Sequence, residues 1–243
     1  MKRRIAIVDG RIDPSMERRL ILSGFQVVAL PPSSRLPAPL ASHTDMLIAR
    51  LGKEHVMTAD YLDEAPFAIQ DIYDLVHPIM HFADEVHGEE YPKDVIFNSL
   101  VLGARVYARL DSLSPYLKAL ATRLGYELCD TKQGYPACVV LKLSDEAVIT
   151  ADEGMARLLE ADGVRVYRIR AGGIKLPPYE YGFIGGAAGV YQGKVYFLGD
   201  AKRHPDYDAI MAALDAEGLS AVFLGDGELV DLGGIYFADE EVD

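Results

Sequence analysis

Four stretches of this chain follow one plan: a short apolar strand ending near an acidic residue, an amphipathic helix, a glycine, and a second apolar strand. "IAIVD" leads through "PSMERRLILSG" to "FQVVAL", and "VYARLD" through "SPYLKALATRLG" to "YELCD". "AVITAD" leads through "EGMARLLEADG" to "VRVYRI", and "VYFLGD" through "HPDYDAIMAALDAEG" to "LSAVFL". A unit with one apolar helix stripe and one apolar strand pair cannot bury either alone. Repetition therefore commits the chain to like modules packed side by side.

The local chemistry agrees. In the second unit Leu117, Leu120, Ala121 and Leu124 share one stripe at helical spacing, while Lys118 and Arg123 fall away from it. Gly24, Gly125, Gly163 and Gly218 close the four helices, where a residue at ease in left-handed backbone ends the ladder. Asp111 or Ser114 is placed to cap one helix start, and Pro14, Pro115 and Pro205 suit a first turn.

Five further strand candidates lie between the units: "TDMLIARL", "VIFNSLVLG", "ACVVLKL", "YGFIGGAAGVY" and "LGGIYFA". Five such strands ask for a fifth helix unit, which falls to residues 59–90, helical in pattern but irregular. The last strand, 232–238, has no helix after it, so it needs the N-terminal "IAIVD" unit to complete it. A single domain over residues 1–243 is expected, with an irregular segment at about 60–90. Strand–helix–strand alternation alone leaves a doubly wound sheet open as the alternative.

The segments "SHTDMLIA" (42–49), "YPKDVIFN" (91–98), "KQGYPACVVL" (132–141), "YGFIGGAAG" (181–189) and "LVDLGGIYF" (229–237) resemble those of the pentein, or guanidino-group-modifying-enzyme, superfamily. Within it the chain looks like an uncharacterised bacterial branch rich in "QGYxxC", "YGFIGGxxG" and "HPDY" segments. The resemblance covers nearly all of the chain outside 60–90. It implies an α/β fold of five modules, a pseudo-fivefold propeller closed by pairing of the N- and C-terminal modules, with loops converging on a central channel. For the hydrolases and transferases of that fold it implies a cysteine nucleophile from the last module, a histidine acid/base from an earlier one, and carboxylates on a guanidinium. A thiolate adds to the amidino carbon, histidine passes protons to the leaving amine, and carboxylates meet the planar guanidinium through paired hydrogen bonds.

This chain departs at both essential positions. In "LGGIYF" the nucleophile position falls on Tyr236 or Phe237, and "EYGFIGG" contains no histidine. A different polar set remains at the module entrances. Asp45 stands where the resemblance places a guanidinium-binding acid, with His43 two residues away and on the same face of an extended strand. Cys138 enters the strand after "QGYPA", Asp231 precedes the Gly-Gly pair, and Asn98 lies in the second unit's strand. Converging on the channel, these residues would form a site for a small amino or guanidino compound. Cys138 would be a relocated nucleophile assisted by His43, and Asp45, Asn98, Gln133, Tyr135 and Asp231 would bind substrate; no metal or other cofactor is expected. Each also has a plainer reading: Cys138, like Cys129, as a small buried hydrophobe, His43 as a turn residue, "QGYP" as an ordinary turn, and Asp231 as a loop acceptor. The rival function is a non-catalytic binding or scaffold pentein, similar to translation initiation factor 6 in fold only.

Charge narrows the partners. The net charge is −13, from 24 basic and 37 acidic residues, which argues against a nucleic-acid partner and favours a cationic ligand. The basic start "MKRR" is followed by an apolar run cut at once by Asp9 and Gly10, too short for a signal peptide, and no segment reaches membrane length. With two cysteines in so long a chain, a cytoplasmic protein with reduced thiols and no membrane partner is expected. Its oligomeric state is left open.

Two motifs read as structure. "GFIGGAAG" lacks the Lys-Ser/Thr ending of a phosphate loop, and the "VYQGKVYFLGD" after it reads as a hairpin. Gly185, Gly186 and Gly189 are therefore taken as points of close backbone approach. "HPIMHFADEVH" sets His77 and His81 one helical turn apart but lacks the glutamate of the protease motif, and is read as a solvated or partner-facing helix.

Overall fold

In a computed structural model, which describes residues 3–240, five three-stranded sheets repeat one topology. In each, the central strand pairs antiparallel with one neighbour and parallel with the strand that follows its helix. Arg4–Asp9 takes Tyr236–Asp239 antiparallel and Gln26–Leu30 parallel. Glu54–Thr58 stands between Ala49–Leu51 and Ile79–Ala83, and Arg105–Ala108 between Leu100–Leu102 and Glu127–Asp130. Ala147–Thr150 lies between Val140–Lys142 and Arg165–Arg168, and Lys194–Phe197 between Ala188–Tyr191 and Ser220–Phe223. The two ends of the chain meet in register, Arg4 opposite Asp239 and Ile7 opposite Tyr236. A short parallel pair, Ile174–Lys175 with Leu229–Val230, links the remaining loops.

The helices form where stripe and cap agree. Pro14–Leu22 is capped by Asp13, which accepts from the Ser15 N–H, and buries Met16 and Leu20. Pro115–Arg123 is capped by Ser114 rather than Asp111, and buries Leu117, Leu120 and Ala121. Asp111 instead binds Arg109. Leu124 leaves the expected stripe: it is the C-cap and 40% exposed, because the helix has ended. Gly24, Gly125, Gly163 and Gly218 all carry positive φ just past their helices. Burial of side chains such as Ile5, Ile7 and Leu30, all 0% exposed, stabilises each module by roughly 1.5–3 kcal/mol per residue.

One expectation, the fifth helix unit, gains detail and two need correction. The irregular 59–90 region holds two helices, Ala59–Glu64 and Pro66–Val76, broken where Pro66 cannot donate into the preceding ladder. It then enters a strand, Ile79–Ala83, so His77 and His81 do not share a helix: His81 is held by parallel pairing beside Glu54 and Tyr116. The interior strands are also shorter than their apolar runs. Thr44–Leu47 and Pro136–Val139 each make one helical turn before the strand begins, so His43 and Asp45 do not lie along a strand face, and Asn98 precedes its strand. No helix among the described residues is long and apolar enough to cross a membrane.

Candidate active site

The loop or turn that opens the inner strand of each sheet comes to one place. Gly233 accepts the Asp45 N–H at its carbonyl, 3.2 Å away, and Gly186 donates to the Cys138 carbonyl at 3.0 Å and accepts from Gly234 at 2.8 Å. Such approaches leave no room for side chains. A Cβ on Gly185 would stand 2.3 Å from the Ala137 carbonyl oxygen, and one on Gly186 would stand 1.9 Å from Asp231 Oδ1. The glycine run is therefore what lets the "GFIGG", "DLGG", "SHTD" and "YPAC" segments meet.

At the meeting point Cys138 Sγ donates to Asp45 Oδ2 at 2.6 Å. Asn98 holds the same loop with both ends of its amide: Nδ2 lies 3.2 Å from Cys138 Sγ, and Oδ1 accepts the Ala137 N–H at 2.9 Å. His43 is fully buried between two acids, its Nε2 4.0 Å from Asp9 and its Nδ1 3.9 Å from Asp231. Neither distance is a hydrogen bond, and both ring nitrogens lack partners among the described residues, as does Asp45 Oδ1. Asp231 accepts the Phe183 N–H at 2.8 Å and the Gly233 N–H at 3.1 Å.

Burial sets the protonation states. It pushes Asp45 up to about 8 and Asp231 up to about 6. It drives His43 down to about 3, with Arg11 adding to the fall. The Cys138 thiol is held well above its usual value by burial and then by the charges of Asp45 and Asp231. At neutral pH the resting cluster is a thiol, a neutral imidazole and an acid sharing its proton, with no thiolate in advance.

A pocket of about 260 Å3 opens on this cluster, bordered by His43, Tyr135, Cys138, Tyr181 and Asp231 among others. Of the seven residues expected from the sequence, His43, Tyr135, Cys138 and Asp231 line this pocket, and Asp45 and Asn98 touch Cys138 without lining it. Tyr135 reaches the pocket wall while its hydroxyl donates to Asp94 at 2.6 Å. Gln133 stands outside: it donates to Asp152 at 2.7 Å and accepts from the Tyr135 N–H, shaping its own turn. Asp9 and Arg11 join unexpectedly. Arg11 clamps buried Asp9 and donates to the carbonyls of Ala38 and Pro39, which fixes the loop before His43. The signal for them was an acid at the strand end followed two residues later by arginine.

One ligand atom each from His43, Asp45 and Cys138 lies within 4.8 Å of the others, a donor set that suits zinc in kind. Tetrahedral Zn–N and Zn–S bonds of about 2.0–2.3 Å put ligand atoms roughly 3.3–3.8 Å apart. The 2.6 Å contact of Cys138 with Asp45 is shorter than that spacing, so the arrangement is a thiol–carboxyl pair rather than a preformed metal cage.

The model of a family described only as a family of unknown function (DUF6873) matches residues 7–236, and no curated protein matches the chain. Among solved structures, a dimethylarginine dimethylaminohydrolase is 11% identical, covering 94% of this chain and 97% of its own, with a TM-score of 0.59. An amidinotransferase of the saxitoxin biosynthetic pathway from Microseira wollei is 9% identical, covering 89% and 87%, with a TM-score of 0.55. Inosamine-phosphate amidinotransferase from Streptomyces griseus is 15% identical, covering 90% and 75%, with a TM-score of 0.54. These likenesses show the fold, that of the pentein superfamily.

Proposed function

Because the chain belongs to the DUF6873 family and has the pentein fold, we propose that its five like sheets stand as a propeller around the cluster, which binds a small amino or guanidino compound. One observation carries this reading: buried Asp45, with an unpartnered oxygen and no ion pair among the described residues, holds Cys138 at the wall of a pocket that His43 and Asp231 also line. Burying uncompensated acids is costly, and a cationic ligand offsets that cost by pairing with them. Structures of dimethylarginine dimethylaminohydrolase hold citrulline or an S-methyl-L-thiocitrulline adduct, compounds of the same size class.

In this reading Cys138 is the nucleophile. Pairing with the bound cation ionises Asp45, whose proton leaves to solvent. The Cys138 proton then passes to that carboxylate as sulfur bonds to the amidino carbon, so the thiolate forms only when the substrate's positive charge is present to stabilise it. The carbon–nitrogen bond then breaks, and the amine leaves with a proton returned through Asp45 or His43. Water releases the carbon skeleton from sulfur. The free thiols of Cys129 and Cys138 suit the reducing conditions of the cytoplasm.

The 3% exposure of Cys138 favours a second reading, a binding pentein without chemistry. Calorimetric titration with guanidino, amidino and amino compounds, beside their neutral isosteres, tests both. Saturable binding of cations alone, weakened by Asp45→Asn, supports the site. Turnover lost in Cys138→Ser with binding kept supports the nucleophile. Equal binding of neutral isosteres sinks the proposal.

A further inference from the structure

A second cavity, of about 460 Å3, is lined by Asp45 but not by Cys138 or His43, which line the pocket described above. Near neighbours in the chain face different ways: His43 and Cys138 border the pocket, Asp45 and Ala137 the cavity. Three charged side chains border the cavity. Lys142 pairs with Asp145 at 2.6 Å, and Asp45 takes the thiol of Cys138. Arg50 differs. Its Nε is enclosed without an acceptor among the described residues, and its guanidinium carbon stands 5.2 Å from the centroid of the Tyr236 ring.

An arginine in that state is unusual for this chain. Arg11, Arg109, Arg165, Arg168 and Arg170 all have carboxylate partners, and acids outnumber bases 37 to 24. Burial penalises the charge on Arg50, and no described acid compensates it. Directly across the hairpin in register is His55, 2% exposed, with its Nδ1 also unpartnered. His55 borders a different pocket, which Arg50 also reaches, so the enclosed Arg50 Nε is the donor that lacks an acceptor beside the 460 Å3 cavity.

We propose that Arg50, seated on Tyr236, anchors a second ligand site in this cavity, which takes the oxyanion of a small carboxylate- or phosphate-bearing molecule. The planar guanidinium offers two parallel N–H donors that match a carboxylate or phosphate edge. The Tyr236 ring supports its face and leaves its edge for the ligand. The cavity shares Asp45 with the cluster, but the site requires neither Cys138 nor His43, so oxyanion binding is read apart from the function proposed above.

Calorimetry of the whole protein with inorganic phosphate, and separately with succinate, distinguishes the two oxyanion sources. The expected result is saturable binding of at least one, weakened roughly ten-fold or more by Arg50→Gln. Arg50→Lys keeps charge and bulk but loses the fork, and so reads the site even if Arg50→Gln fails to fold; it is expected to weaken binding several-fold. Arg35→Gln, at an exposed arginine, should leave affinity unchanged. Absence of saturable binding by the wild type, or wild-type affinity in a folded Arg50 variant, overturns the proposal.

Discussion

The Sγ of Cys138 lies 2.6 Å from Oδ2 of Asp45, so a thiol donates to a carboxylate inside the protein. Burial and the neighbouring acids keep the thiol protonated. Asp45→Asn removes one of those negative charges and should bring the thiol down toward its ordinary value. Alkylation of Cys138 at pH 8 is expected to rise about three- to ten-fold in that variant. Mass spectrometry of the two cysteine peptides reads the change, with Cys129 as the internal reference.

Stability should peak on the acid side of neutrality. Asp45 at about 8 and Asp231 at about 6 both stand above their ordinary 3.8. The folded chain therefore holds protons that the unfolded chain has released, and stability falls as pH rises through that window. His43 and His55 at about 3 and His87 at about 4 stand below 6.5, so they add stability as pH rises, up to about 6.5. Above that only the Asp45 fall continues. Denaturant unfolding should show a loss on the order of 1–2 kcal/mol between pH 6.5 and 8, flattened by Asp45→Asn.

Gly233 and Gly193 separate packing from backbone cost. Both have positive φ, but a Cβ on Gly233 would stand 2.5 Å from His43 Cβ, whereas one on Gly193 meets nothing within 4 Å. Gly193→Ala is expected to cost about 1 kcal/mol, and Gly233→Ala about 2–4 kcal/mol because the His43 turn must move. Thermal unfolding of the two variants measures the difference.

Asp231 fastens two loops to the cluster by accepting from Phe183 and Gly233. Asp231→Ala leaves both amides without that acceptor and should destabilise by about 2–4 kcal/mol. Asp231→Asn keeps one acceptor oxygen and should cost less. A shift of the urea midpoint at constant slope is the expected signature.

The repeat made the modules legible because each carries its own stripe, cap and closing glycine, as Leu117, Ser114 and Gly125 do. The pairing of "IAIVD" with the last strand was legible because the final strand had no helix of its own. What the sequence concealed were choices settled across the fold. Nothing local distinguishes a helical turn at Thr44 or Pro136 from the start of an apolar strand; the turns arise where Gly185, Gly186 and Gly233 press against them. Gln133 looked as available as Tyr135, but Asp152, the cap of helix Glu153–Ala161, occupies it. Arg50 gave no signal, since its missing partner is a fact of the assembled interior.

The most direct test of a cation-selecting nucleophilic site is the rate at which a haloacetamidine, positively charged at pH 7, alkylates Cys138 compared with its neutral isostere, a haloacetamide. The site described above requires the cationic reagent to label Cys138 at least about ten-fold faster, with little preference at Cys129 and with the preference lost in Asp45→Asn. Equal rates with the two reagents, or no labelling of Cys138 by either, would contradict it.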